Sequence, residues 1–235
     1  MIASDTTRNP RIDPPNLPFT AAERKLVERL RTPAAVQRWL NDLPYNDEPA
    51  GDTMRGFRGV VRTRTAHCLE ATLFTAVTLE QHGYSPLMLG FESIDLLDHV
   101  IFVYRTPTGW GSVARSRDPG LHGRKPVFRT ARALALSYTE GYIDYTGRIK
   151  GYAVIDLREL DPYDWRLKNG NLWKVERLLR EWPHRPIASS DARIDAMRRR
   201  YREFRKIYTH KPWKYFAGRQ TWTPLPSEFK SAVPP

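Results

Sequence analysis

An α+β fold is predicted by three features of the sequence. One helical stretch near the middle has almost no polar face, short apolar strands follow it directly, and helical patterns return beyond about Asp161. A helix that is apolar all round is buried, and strands joined by tight turns pair antiparallel. Together they predict a central buried helix against an antiparallel sheet, plus a helical C-terminal extension. The expected divisions are a flexible N-terminal arm over residues 1–18, a core over 19–160 and a basic helical extension with a Pro-rich tail over 161–235.

The elements follow in chain order. Pro10, Pro14, Pro15 and Pro18 among polar residues favour an extended arm. Thr20 with Glu23 three places on forms a capping box for a first helix bearing Leu26, Val27 and Leu30. Thr32-Pro33 starts a second, with Val36, Trp39, Leu40 and Leu43 on one face. Residues 44–59 carry Asn46, Asp47, Pro49, Gly51 and Asp52 and read as a loop. The buried helix is expected from Ala66 to His82, closed by Gly83. Strands are expected at Leu87–Phe91, His99–Arg105, Trp110–Ser116 and Gly151–Leu157, the second and third joined at Thr106-Pro107-Thr108-Gly109. Two more helices are expected at Leu172–Trp182 and Ser190–Tyr208.

Composition removes several classes. The 235 residues hold 38 basic and 26 acidic side chains, a formal charge of +12. Residues 151–235 carry 18 basic and 10 acidic residues, so most of the excess is C-terminal. Such charge suits nucleic acid, an anionic membrane surface or an acidic partner without specifying any chemistry. The longest mostly apolar run, Ala71–Leu79, falls short of the roughly 20 residues of a membrane span. No membrane partner is therefore expected. The first ten residues lack the basic start and apolar stretch of a signal peptide, so a cytoplasmic location is expected. A single cysteine, Cys68, excludes an internal disulfide and a Cys-rich zinc site.

That cysteine opens the buried helix, where unpaired N–H groups and the helix dipole favour a thiolate. A free cysteine more often acts as a small hydrophobe, so its base decides the matter. Of six histidines, His67 adjoins Cys68, and neighbours on a helix point about 100° apart. His82, His184 and His210 suit structural or solvent roles, leaving His99 and His122. His99 opens a strand after the polar loop Glu92–Asp98, a natural place to present a site residue. A turn centred between Pro107 and Thr108 sets Ser116 opposite His99 and Asp118 diagonal to it if the strand continues.

A thiol at the start of a buried helix, a histidine opening a strand and an acid after the next strand resemble the transglutaminase-like superfamily of papain-type cysteine enzymes, in a divergent bacterial form. The matching residues are Thr32-Pro33 before Trp39, then Arg64-Thr65-Ala66-His67-Cys68, then Asp98-His99-Val100-Ile101-Phe102-Val103-Tyr104. Gly109-Trp110 and Arg117-Asp118-Pro119 complete the set. The likeness spans about residues 30–121 and implies a papain-like catalytic core. It makes Cys68 the nucleophile, His99 the base and Asp118 the orienting acid, with Ser116 the alternative for the third place. It implies no cofactor and no metal.

The reaction so implied is acyl transfer on a peptide or amide substrate, with hydrolysis expected and transfer to an amine the other outcome of the same intermediate. The rival class is a non-catalytic binding module whose helix around Met197–Lys206 engages nucleic acid or another anion. An amphipathic helix with Ile194, Met197, Tyr201, Phe204 and Tyr208 on the core explains the same pattern. Glu92, Asp95 and Asp98 read either as a solvated loop or as an attraction for a cationic substrate.

Overall fold

The computed structural model describes residues 12–95, 99–208 and 218–229, leaving Asp98, His210 and most of the expected arm and tail outside the described residues. The fold is mixed α and β, with a six-stranded antiparallel sheet. The first two helices are α1 (Ala21–Arg29), with the Thr20–Glu23 capping box formed on both sides, and α2 (Pro33–Asn41), capped by Thr32. The expected loop is shorter than its composition implied. Phe57–Thr63 forms helix α3, ended by Arg64 in the left-handed region at φ 56°.

Helix α4 (Cys68–Glu80) is the buried one, every residue after Cys68 being buried. Its Phe74 stacks between Trp39 of α2, centroids 4.3 Å apart, and Phe57 of α3, 5.5 Å away. The aromatic stack thus ties three helices into one layer. The chain leaves α4 through Gly83 at φ +83°, a conformation that glycine adopts without a Cβ clash.

The strands are β1 (Leu87–Ser93), β2 (Val100–Thr106), β3 (Gly109–Val113), β4 (Arg124–Phe128), β5 (Ile149–Asp156) and β6 (Arg185–Pro186), in the order β4-β3-β2-β1-β5-β6. The Pro107–Thr108 turn sets the expected register, pairing Tyr104 with Gly111 and Phe102 with Val113. Pairing ends there, three residues short of Ser116. Alternate residues of β1 and β2 serve two different cores. Met88, Val100, Phe102 and Tyr104 pack with α4, while Leu89, Phe91, Ile101 and Val103 pack with Tyr138 and Tyr142 on the other face. That double burial explains why β2 reads as a continuous apolar run.

Helix α5 (Ala131–Leu136), with β4 before it, covers the second face; the sequence reading missed both. Helices α6 (Trp173–Glu181) and α7 (Asp191–Ile207) fall where expected. The chain after Asp161 does not stand apart. Trp165, Leu167, Leu172, Val175 and Leu179 belong to the α4 core, and β6 extends the sheet. No helix among the described residues is long and apolar enough to cross a membrane.

Phe74 has no exposed surface and fills the centre of the stack. Phe74→Ala should therefore cost about 3–5 kcal/mol. Urea unfolding followed by circular dichroism checks this, and a loss under about 1 kcal/mol would show that the three helices do not depend on the stack.

Candidate active site around Cys68

The start of α4 is fixed by one carboxylate. Glu70 is fully buried and accepts hydrogen bonds from Asn46 Nδ2, Thr53 Oγ1, the His67 N–H, the Arg55 N–H and, bidentate, the Arg55 guanidinium at 2.6 and 2.7 Å. These contacts hold its carboxyl below the usual range despite the opposing effect of burial. They also join the 44–59 loop to the helix. The Thr72 hydroxyl reaches both the Cys68 carbonyl at 2.9 Å and the Val100 carbonyl at 3.3 Å, locking the first turns of α4 to the start of β2. Cys68 and His99 are thereby brought together.

Cys68 is half-buried. Burial pushes its thiol pKa up, but hydrogen bonding by His67 and then His99, with the charges of both rings, outweighs this and brings it down to about 5. His99 is buried, stacks on Phe91 at 6.1 Å and donates from Nε2 to the Leu121 carbonyl at 2.9 Å. That bond leaves Nδ1 as the ring's free nitrogen. Tyr45 borders the same thiol. Burial raises its phenol pKa first and the Cys68 charge second, while the guanidinium of Arg117 lies 5.8 Å from its ring centre.

Asp118 does not occupy the expected place. Beyond Val113 the chain leaves the sheet, because Arg115 turns inward to donate to the Leu43 carbonyl. Asp118 then precedes a 3-10 turn, Pro119–Leu121, and its N–H donates to Ser116 Oγ. Among the described residues its carboxylate makes no hydrogen bond to His99, and the Leu121 carbonyl does so in its stead. Ser116 makes no hydrogen bond to His99 among the described residues either; its Oγ accepts from the Asp118 N–H. The Asp118 side chain is exposed; surrounding protein raises its pKa by dehydration, and attraction from Arg117 and then His99 opposes this. The exposure implies that this upward push is small. Asp118-Pro119-Gly120 is itself a turn signal, five residues past the end of β3.

His67 is the residue that sequence reasoning set aside. The 100° separation holds inside a helix, but His67 is the N-cap, with extended backbone at φ −87° and ψ −175°. Its Nε2 donates to the Thr53 carbonyl at 2.9 Å, its Nδ1 accepts from the Leu69 N–H at 3.2 Å, and Glu48 and Glu70 each lie 3.7 Å from Nε2. Burial lowers its pKa, while Cys68, Glu70 and the Thr53 carbonyl raise it further, to about 9. The spacing from His67 to Glu70 is that of a capping box, which was the available signal.

The remaining candidates have structural partners. His122 is buried, donates from Nε2 to the Ser116 carbonyl and is kept neutral, its pKa lowered well below the usual value by burial and then by Arg115. His82 meets the Val27 carbonyl, and His184 the Trp182 carbonyl. Glu92 pairs with Lys150, and Asp95 accepts from Ser93 and Thr146. On α7, Arg198 bonds the Thr146 carbonyl, Arg200 pairs with Glu140 and Arg205 bonds the Tyr201 hydroxyl. Ile194, Met197 and Tyr201 pack on Ile143.

The sequence matches no family model and no curated protein.

Two outcomes follow from this geometry. Alkylation of Cys68 by iodoacetamide should be half-maximal near pH 5, against about 8.5 for an ordinary thiol. The sign is fixed by the lowered pKa: thiolate and its stabilisation of the fold are fully present above the ordinary thiol range and are lost as pH falls through about 5. A rate rising only above about pH 8 would show that the imidazoles do not hold a thiolate. Second, duplex DNA binding should be weak and gone at physiological salt, because α7 spends three of its arginines on the fold. A fluorescent-duplex titration showing a log–log salt slope of about −4 to −5, abolished when Arg198, Arg199, Arg200, Arg202 and Arg205 become glutamine, would favour the binding-module reading.

Proposed function

We propose that the protein is a cysteine acyl-transfer enzyme of the transglutaminase-like, papain-type kind, acting on an amide with water as the default acceptor. The observation that carries this reading is the half-buried Cys68 thiol at the start of α4, bracketed by two imidazoles, one of them anchored through Nε2 to a backbone carbonyl. A buried structural cysteine has no use for either ring.

In this reading Cys68 Sγ attacks the amide carbonyl carbon as thiolate. The developing oxyanion lies near the first-turn N–H groups of α4, which the helix geometry leaves without internal acceptors. His99 Nδ1 takes the thiol proton and passes it to the leaving amine as the C–N bond breaks. Water, deprotonated by the same nitrogen, then releases the acyl group and restores the thiol. The Leu121 carbonyl keeps the His99 ring in the Nε2–H form that leaves Nδ1 available. Asp118 adds distant charge rather than a hydrogen bond, so its replacement should matter far less than that of His99.

p-Nitrophenyl acetate, a generic activated acyl donor, tests the mechanism before a natural substrate is known. The wild type should release a burst of nitrophenolate and carry an acetyl group on Cys68 by mass spectrometry. Cys68→Ala should abolish both, and His99→Ala should slow turnover by about 10²-fold or more, the size of a general acid–base contribution. Asp118→Asn should stay within about fivefold. An acetyl group found on any residue but Cys68 would sink the reading.

A further inference from the structure

The mechanism above uses one of the two imidazoles at the thiol, and the second is the more heavily partnered. His67 is buried between the 44–59 loop and the first turn of α4, with the Glu48 and Glu70 carboxylates both 3.7 Å from Nε2 and the Thr53 carbonyl 2.9 Å away. Glu48 is itself fixed by the Thr53 N–H at 2.7 Å. Two elements, the loop and α4, therefore turn three acceptor groups toward one ring.

We infer that His67 is a positioning residue, a standing imidazolium that holds the Cys68 thiolate throughout the reaction, while the mobile proton belongs to His99 alone. This rests on the acyl-transfer reading and adds a separate task for a second histidine. Charge balance supports it. Around the ring stand Glu48 and Glu70 with Arg55 as the guanidinium that pairs with Glu70, and across the thiol stand His99 and the phenol of Tyr45, beside which Arg117 and Asp47 add charges of opposite sign. Two buried or half-buried carboxylates against one guanidinium leave a negative excess beside a group that must itself become an anion. One proton from solvent on His67 removes that excess, after which thiol with neutral His99 and thiolate with charged His99 carry the same net charge. The two imidazoles also differ in what they face, since the Nε2 of His99 meets a neutral carbonyl and, among the described residues, no carboxylate.

A consequence concerns the helix start. In the structure Nδ1 accepts from the Leu69 N–H at 3.2 Å, which is the arrangement of the neutral ring, and charging the ring gives this bond up. Protonated there, it can no longer accept; it turns donor toward Sγ, and the Leu69 N–H is released at the place where an oxyanion forms. Charging His67 thus supplies a counter-ion to the nucleophile and a free amide donor together.

Nitrogen-15 NMR of histidine-labelled wild type reads the ring directly and needs no variant. His67 should be doubly protonated at pH 7 and titrate with a midpoint near 9, and in Cys68→Ser that midpoint should drop. The thiolate absorbance near 240 nm and the iodoacetamide rate, followed against pH, supply the kinetic arm. His67→Asn, which retains a helix-capping side chain, should raise the thiolate midpoint by a unit or more, slowing alkylation about tenfold per unit in acid. His99→Gln should leave a low midpoint yet lose acyl turnover. A neutral Nε2–H ring on His67 at pH 7 overturns the inference. So does a thiolate midpoint that moves in His99→Gln and not in His67→Asn, a pattern that leaves the acyl-transfer reading standing. An ordinary thiol in the wild type overturns both.

Discussion

The buried Glu70 carboxylate is the constraint on which the site depends. A carboxylate without water must find partners or lose its charge, and Glu70 finds them in Asn46, Thr53, Arg55 and the His67 backbone. Satisfying it draws an otherwise irregular stretch of loop against the first turn of α4. The same contacts fix His67 as N-cap and so aim Cys68. The setting of the Cys68 thiol thus begins with a desolvated acid two residues further along the helix.

The other half of the site is set by the sheet. His99 is positioned by pairing at the head of β2, with the Thr72 hydroxyl tethering that strand to α4 from one side and Phe91 stacking on the ring from the other. Because β1 and β2 are buried on both faces, neither layer shifts without opening a core. Under the proposed acyl-transfer reading, a histidine so held loses little freedom when it engages a substrate. Its orienting partner needs to be no stronger than a carbonyl.

Much of this was legible in the sequence because it is local. Capping boxes, the apolar character of α4 and the Pro107–Thr108 register depend on spacings of a few residues. Cys68 and His99 stood out for the same reason. The errors arose where a distant contact overrode a local pattern. Arg115, drawn to the Leu43 carbonyl, took the chain out of the sheet before Asp118. His67 was judged as a helical neighbour although it caps the helix, and α3 was hidden in a loop-like composition because Phe57 needed Phe74 to stack on. The chain beyond Asp161 looked separate since its core residues, among them Trp165 and Leu172, are spread among charges.

Among the described residues, Arg124 is buried without a carboxylate partner. Carbonyls of Gly120, His122 and Ser137 accept from its guanidinium, which lies 4.0 Å from the Tyr138 ring centre and 4.8 Å from that of Trp222. Arg115, equally buried, pairs with Glu228. Both charges are thus sealed by side chains made about a hundred residues later. During synthesis on the ribosome the sheet can pair as its strands emerge, but two guanidiniums beside the β3–β4 junction stay incompletely covered until residues 218–229 have left the exit tunnel. Covering of the region around His99 and Leu121 therefore waits for residues about a hundred positions further along the chain.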